Sequence, residues 1–369
     1  MSSVTCFVGL DYHQDSVQVC VLDAKGRQLL NRSCSNHWKE VAAAVGSVGV
    51  VKRAAIEACC GAADLAEELV ERAGWAIDLA HPQYVARMRR SPDKSDYSDS
   101  SMLADLTRVG YLPKVHLASS YERDLRQLVN HRQALVDQRR STKLRVGAVL
   151  REQRAKAPEA KPSFACSRWT KAWMAWARSA PQLSDQGRWI VNDLLDELAH
   201  LDRKVLAAEA RLRQATANDP MIDRLMNEPG IGEVTAWVLR AYVGRFDRFN
   251  TGRQLSRYCG LSPCNASSGA RQADAGLIKG CNKLLRATLI QAGHRLINTE
   301  PRWRQLSDSM KRRGKPASVI VAAVANRWMR GLWHRMLPVQ GEVQVGALPQ
   351  TPPHFAPPPV TRLNEVERG

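Results

Sequence analysis

The period of the apolar positions changes along the chain, and each change marks a different kind of element. FVGLD is an apolar run that stops at Asp11, SVQVCVLD alternates, and RQLL follows an AKG turn; this predicts three short strands in an antiparallel meander. KRAAIEACCG predicts a fourth strand ending at Glu57, AADLAEELVERAG a helix, and WAIDLAHP another strand. Strands mixed with helices in this order predict an α/β domain.

From Tyr121 the period becomes helical. Leu125, Leu128, Val129, Leu135 and Val136 form one run among many Arg and Gln residues, and Val191, Leu194, Leu195, Leu198, Leu201 and Val205 form a second. A period near 3.5 suits either an antiparallel hairpin or the seam of a dimer. Between the runs lies KAPEAKPSFACSRWTKAWMAWARSAPQ, with Pro at both ends and three Trp residues, which predicts a helical insertion of no assigned role. The region opening with NEPGIGEVTAWVLRAYVG and closing with VIVAAVANRWMRGLWHRML is predicted to be mostly helical. From Pro338 the chain is rich in Pro and Gly and has no period, so a disordered tail is expected. The expected division is therefore residues 1–112, a helical connector at 113–219, a third domain at 220–336 and a tail at 337–369.

A length of 369 residues exceeds what one small core serves, and 44% hydrophobic with 24% charged residues is ordinary for a folded protein. The formal net charge of +18 points to a polyanionic partner, nucleic acid first, because clustered Lys and Arg gain affinity by displacing counterions from phosphates. That charge is uneven. Residues 1–112 hold 12 Lys and Arg against 14 Asp and Glu, whereas residues 113–369 hold 42 against 22. An acidic part of this kind needs metal to approach DNA, while a basic body can hold DNA directly.

Nine cysteines occur with no CxxC pair or regular spacing, which supports neither a zinc module nor a secreted disulfide framework. No signal-peptide pattern opens the chain and no apolar segment reaches about 18 residues, so a cytoplasmic protein without membrane contact is expected.

Four acids hold the candidate chemistry of the first region. Asp11 and Glu57 stand at strand ends, and Asp96 and Asp99 lie in KSDYSDSSMLADL, where a helix would place i and i+3 on one face. Mg²⁺ or Mn²⁺ takes such oxygen ligands, and a pair of ions can clamp a phosphodiester. Lone acids of this type otherwise cap helices or face solvent. Lys94, beside them, is either a phosphate contact or a solvated charge.

In the last region EPGIGEVTAWVL has the form of a helix-hairpin-helix turn. Gly230 and Gly232 there either expose backbone N–H groups to a phosphate or simply make a tight turn. Downstream, RYCGLSPCNASSGARQADAGLIKGCNKLLRATLIQAG is polar and irregular. Ser267 and Ser268 precede Gly269, with Arg271, Lys279 and Arg286 near enough in sequence to neutralise phosphate charge. Chemistry alone leaves both a turn-forming serine and a nucleophile open.

Taken as a set, these motifs resemble the IS110 and IS1111 families of insertion-sequence transposases, the bridge-RNA-guided recombinases, over most of residues 5 to 336. FVGLD resembles the first-strand motif that carries Asp11, AIEACCG the strand that carries Glu57, and KSDYSDSSMLA the lysine-led segment that carries Asp96 and Asp99. PGIG, YCGLSP and SSG before an LR-containing helix resemble the second domain, whose nucleophile is the serine directly before Gly, here Ser268. The resemblance implies an RNase H/RuvC-like mixed sheet with helices, a coiled-coil connector and a mostly helical serine-bearing domain. It further implies a DNA transposase that forms a covalent serine–DNA intermediate, assisted by metal on the four acids. Its partners would be donor and target DNA, a noncoding guide RNA, and further copies of the chain as a dimer or tetramer. Delegating sequence readout to RNA accounts for a basic protein with no base-reading motif. Two departures stand out: Ala58, Cys59 and Cys60 follow Glu57 where the family carries Thr and Gly, and Ile278 and Cys281 flank Lys279 and Gly280 where it carries Ser or Thr and Gly. The competing readings are a RuvC-like nuclease or junction resolvase that hydrolyses DNA with water, and a non-enzymatic architectural binder.

Overall fold

The computed structural model describes residues 4–88, 95–156, 168–265 and 274–337. The chain divides into two compact units, with the boundary falling between Ser120 and Tyr121. Among the described residues no helix is long and apolar enough to cross a membrane.

The first unit contains β1 (Thr5–Tyr12), β2 (Ser16–Asp23), β3 (Gln28–Ser35), α1 (Trp38–Gly46), β4 (Val50–Glu57), α2 (Ala62–Ala73), β5 (Ile77–Ala80), α3 (Pro82–Arg87), α4 (Asp96–Arg108) and β6 (Lys114–Val115). The strands form one mixed sheet in the order β3-β2-β1-β4-β5-β6. β1, β2 and β3 are the expected antiparallel meander, whereas β4 runs parallel to β1 and β5 parallel to β4. This arrangement fits an RNase H-like fold.

Side chains alternate between the two faces of a strand, and that alternation assigns each face a partner. Cys6, Val8 and Leu10 of β1, Val17, Val19 and Val21 of β2, and Ala54 and Ile56 of β4 share a core with Val41 and Val45 of α1 and Leu65, Ala66 and Leu69 of α2. The intervening residues face the other way. Ala55 packs with Leu103 of α4, and Cys20 and Leu22 pack with Ala104.

The second unit contains α5 (Ser120–Glu152), α6 (Lys171–Ser179), α7 (Asp185–Ala215), α8 (Pro220–Met226), α9 (Glu233–Tyr242), α10 (Gly252–Tyr258), the short strands β7 (Pro263–Asn265) and β8 (Asp274–Leu277), α11 (Lys283–Thr299), α12 (Pro301–Arg312) and α13 (Ala317–Met336). α5 and α7 pair within the chain as an antiparallel hairpin. Leu135 meets Leu201, Val205 and Ala208, and ion pairs Arg132–Glu209 (2.7 Å), Arg139–Asp202 (3.1 Å) and Arg145–Glu197 (3.5 Å) rise on α5 as they descend on α7. The Trp-bearing α6 packs against the far end of this hairpin, where Trp173 and Ala177 join Val146, Leu150, Val191 and Leu195. At the near end, Leu125 and Leu212 enter the core formed by α8 to α13. Arg240 of α9 fixes that junction by donating to Glu122 (2.9 Å) and Asp219 (2.6 Å), all three side chains being largely buried.

Candidate active site

Leu10 of β1 pairs with Ile56 of β4, so one step further along both parallel strands stand Asp11 and Glu57. The alternation that sends Leu10 and Ile56 into the α1/α2 core turns both acids toward the face covered by α4. Strand ends and face together explain why these two carboxylates are neighbours.

α4 begins where it does because of a capping box. Ser95 Oγ accepts from the Ser98 amide (3.2 Å), and Ser98 Oγ accepts in turn from the Ser95 amide (3.3 Å), which places Asp96 and Asp99 in the first turn. The helix also lies very close to β1. A Cβ added at Gly9 would overlap the carbonyl oxygen of Ser100 and the amide nitrogen of Ala104, so only glycine permits this approach. Asn31 of β3 donates to the Tyr97 carbonyl oxygen (3.1 Å) and Gln28 donates to the Tyr97 hydroxyl (2.7 Å), tying the first turn to the sheet.

Asp99 is buried and Asp96 half exposed, although they share one helix face. The tightest group among the described residues is Asp11, His13 and Asp96, with one ligating atom from each within 4.8 Å of the others. His13 Nε2 is 3.1 Å from Asp96 Oδ2 and 3.6 Å from Asp11 Oδ2. Glu57 and Asp99 stand further out, close enough for their charges to act on Asp11. Burial raises the Asp11 carboxyl to about 6; His13 opposes the rise, and the charges of Asp96, Asp99 and Glu57 add to it. Burial likewise pushes the Cys59 thiol up, partly offset by the Ala62 amide and reinforced by Glu57 and Asp11, so a protonated thiol adjoins the acids. Oxygen donors with one imidazole, crowded until they repel each other, fit a divalent cation. His13 was missing from the sequence-based set; its only signal is its place two residues after Asp11, at the mouth of the β1–β2 turn. Lys94 lies outside the described residues.

In the second unit, Gly230 joins α8 to α9 at a φ of 85°, in the left-handed region, and a Cβ there would press on Leu296 of α11 at 2.7 Å. Gly232 is the N-cap of α9 in an extended conformation. Gly230 is thus required by a tight turn packed on a neighbouring helix, whereas at Gly232 the backbone is ordinary and a Cβ would meet only Arg295 Nη1, at 3.5 Å. Lys279 is exposed. Arg286 donates through Nη1 to the Ile278 carbonyl oxygen at 2.8 Å and so braces the turn after β8. Ser267, Ser268 and Arg271 lie outside the described residues, between β7 and β8, whose backbones pair at Pro263 with Leu277 and Asn265 with Asp274. The YCGLSP turn that leads into β7 is held from a distance. Asn326 of α13 donates to Ser256 Oγ (2.7 Å), the Leu261 carbonyl oxygen (3.0 Å) and Ser262 Oγ (3.4 Å).

A profile of the Transposase IS116/IS110/IS902 family matches residues 222–308, and a transposase profile of the IS110 DEDD type matches residues 8–154. The chain belongs to the IS110 family of transposases. The DEDD match spans Asp11, Glu57, Asp96 and Asp99, and the other spans the YCGLSP turn and the Ser268 segment. This transposase is 25% identical over 331 residues to the transposase for insertion sequence element IS1111A of Coxiella burnetii, with 88% of each chain covered. It is also 25% identical over 354 residues to the transposase for IS1328 of Yersinia enterocolitica, covering 93% of this chain and 99% of the relative. As an IS110-family enzyme it acts in DNA transposition, and its DEDD domain implies a divalent-metal requirement.

Proposed function

We propose that this transposase excises and inserts its element through Ser268. The serine oxygen attacks a DNA phosphorus, an O–P bond to Ser268 forms, the P–O bond to one deoxyribose breaks, and the departing oxygen takes up a proton as the serine loses its own. Attack by a deoxyribose hydroxyl on the phosphoserine reverses these bonds and joins the new strand. The observation that supports the reading best is the convergence of Asp11, Asp96, Asp99 and Glu57 within a transposase match, beside the separate match that contains Ser268.

Asp11, Glu57, Asp96 and Asp99 are the residues that would hold Mg²⁺ or Mn²⁺, which when bound neutralises charge on phosphodiester oxygens. His13 orients the Asp96 carboxylate at the rim. Lys94, Arg271, Lys279 and Arg286 would offer phosphate contacts, and the turn of Gly230 and Gly232 would offer the amides at the α9 start to another. A noncoding RNA from the element's end pairs with donor and target DNA, and the enzyme acts as a dimer or tetramer in which one subunit's acids serve another's serine. The strongly basic composition after residue 112 suits such nucleic-acid partners.

The test is incubation of the protein, co-expressed with its element-end RNA, with labelled donor and target DNA and Mg²⁺, followed by denaturing electrophoresis. A DNA–protein adduct that disappears in Ser268→Ala supports the serine reading. DNA cut without adduct by both proteins replaces it with hydrolysis at the acids, the reading favoured if the acid group works alone.

A further inference from the structure

The Trp-bearing insertion builds a pocket that neither the acids nor the serine segment uses. Its wall on α5 is one helical stripe, Arg140, Leu144, Gly147 and Arg151 at i, i+4, i+7 and i+11, with Lys143 beside it. The opposite wall is Arg168, Trp169 and Trp173. The cavity is about 250 Å³. That is below the ~300–1,000 Å³ that encloses a whole small-molecule ligand, and it suits one planar group.

Three observations give the pocket its chemistry. First, Arg140, Lys143, Arg151 and Arg168 line it, and none of the four has a carboxylate partner among the described residues. Second, aromatic surface is gathered there: the Trp169 and Trp173 rings lie 4.7 Å apart, Lys143 Nζ sits 5.0 Å from the Trp169 ring centre, and Leu144 leaves 63% of its surface exposed. Third, Trp169 adopts a φ of 74°, a costly conformation for a bulky residue, while its indole lies against Lys143 of α5. Gly147 in mid-helix costs about 1 kcal/mol against alanine, yet it keeps the floor of the pocket open.

We infer that this pocket takes an unstacked base of a single-stranded nucleic acid, with its flanking phosphates on the surrounding Arg and Lys side chains. Aromatic platforms within a basic groove bind single strands in this way, since every base offers a π face and the backbone supplies the charge. The flexible Lys143 stem can swing off the indole to meet a phosphate while the base slides against Trp169. The strand is either RNA or displaced DNA; the chemistry of the pocket is shared. The inference needs no chemistry at the acids or at Ser268, and a metal-free buffer keeps its test separate from theirs.

The full-length protein is irradiated with single-stranded oligonucleotides carrying 5-iodouridine, as RNA in one arm and DNA in the other, and the crosslinked peptides are identified by mass spectrometry. A crosslink at Trp169 or Trp173 is expected in at least one arm, and the productive arm names the strand. Gly147→Leu fills the pocket with a better helix former whose Cβ meets only Arg151 Nη1, at 3.5 Å, so it should keep its thermal midpoint. It should weaken binding about tenfold. Arg168→Gln should lower the slope of log affinity against log salt by about 1. The inference is overturned if no crosslink falls on either tryptophan, or if Gly147→Leu binds as tightly as the parent. It is equally overturned if that substitution changes only the sedimentation of the protein, which would make the pocket a contact between copies.

Discussion

His13 Nε2 lies 3.1 Å from Asp96 Oδ2, linking the end of β1 to the first turn of α4 across the group of acids. If His13 holds the Asp96 carboxylate in place for a cation, His13→Ala should weaken Mn²⁺ binding about 10- to 100-fold, the range for residues that orient a ligand. Asp11→Asn replaces an anionic oxygen with a neutral amide oxygen and should weaken binding more than His13→Ala does. Calorimetric titration of Mn²⁺ into each purified variant measures both; unchanged affinity in His13→Ala would leave the imidazole as a surface contact.

Gly9→Ala should damage the same group without touching any of its donors. The added methyl overlaps backbone atoms of α4 at Ser100 and Ala104, which cannot rotate away as a side chain would. Overpacking of this kind costs about 1–3 kcal/mol and sometimes more. The expected result is a lower urea midpoint for the first unit together with weaker Mn²⁺ binding, because α4 must move off β1 and take Asp96 and Asp99 with it.

Much of this arrangement is legible in the residues. Apolar runs that stop at Asp11 and Glu57 locate two acids at strand ends, and the i, i+3 spacing locates two more on a helix turn, since local periods set local structure. The face on which they meet is legible only through tertiary facts. His13 joins because α4 comes over the turn after β1, and α4 comes that close because position 9 has no side chain. The short helices α1 and α3 carry too few turns to declare a period. For the two long runs the period allowed either a hairpin or a dimer seam. The ion pairs of Arg132, Arg139 and Arg145 with α7 settle that choice in favour of the hairpin, through contacts more than 50 residues apart in sequence. Asn326 was invisible for the same reason, its partner Leu261 being 65 residues away.

Asn326→Ala should loosen the turn that feeds the serine segment. Leu261 is buried, and its carbonyl oxygen would lose the donor it receives from Asn326, at a cost of about 1–3 kcal/mol. Urea unfolding measures that loss. Adduct formation with labelled DNA should fall by more than the lost stability explains, because β7 starts directly after Ser262. Equal losses in both measurements would assign Asn326 to stability alone.

The last expectation concerns acid stability of the first unit. Asp78 of β5 is largely buried between Arg53 of β4 and Lys114 of β6, with Arg53 Nη2 at 3.0 Å and Lys114 Nζ at 3.0 Å. Burial raises its carboxyl, but the hydrogen bonds from Arg53 and Lys114 outweigh that and hold it below the ordinary range. A carboxylate whose folded value is depressed contributes stability that is complete above its unfolded value, about 3.9, and is lost as pH falls through the folded one. Asp78→Asn should therefore cost about 1–3 kcal/mol at pH 7 and progressively less on acidification, until the two proteins unfold alike below the folded value. Urea midpoints measured from pH 7 down to about 2.5 separate the outcomes: curves that converge in acid assign the stability to the charged form of Asp78, whereas a constant gap would mean that its shape, not its charge, supports the β4–β5–β6 edge.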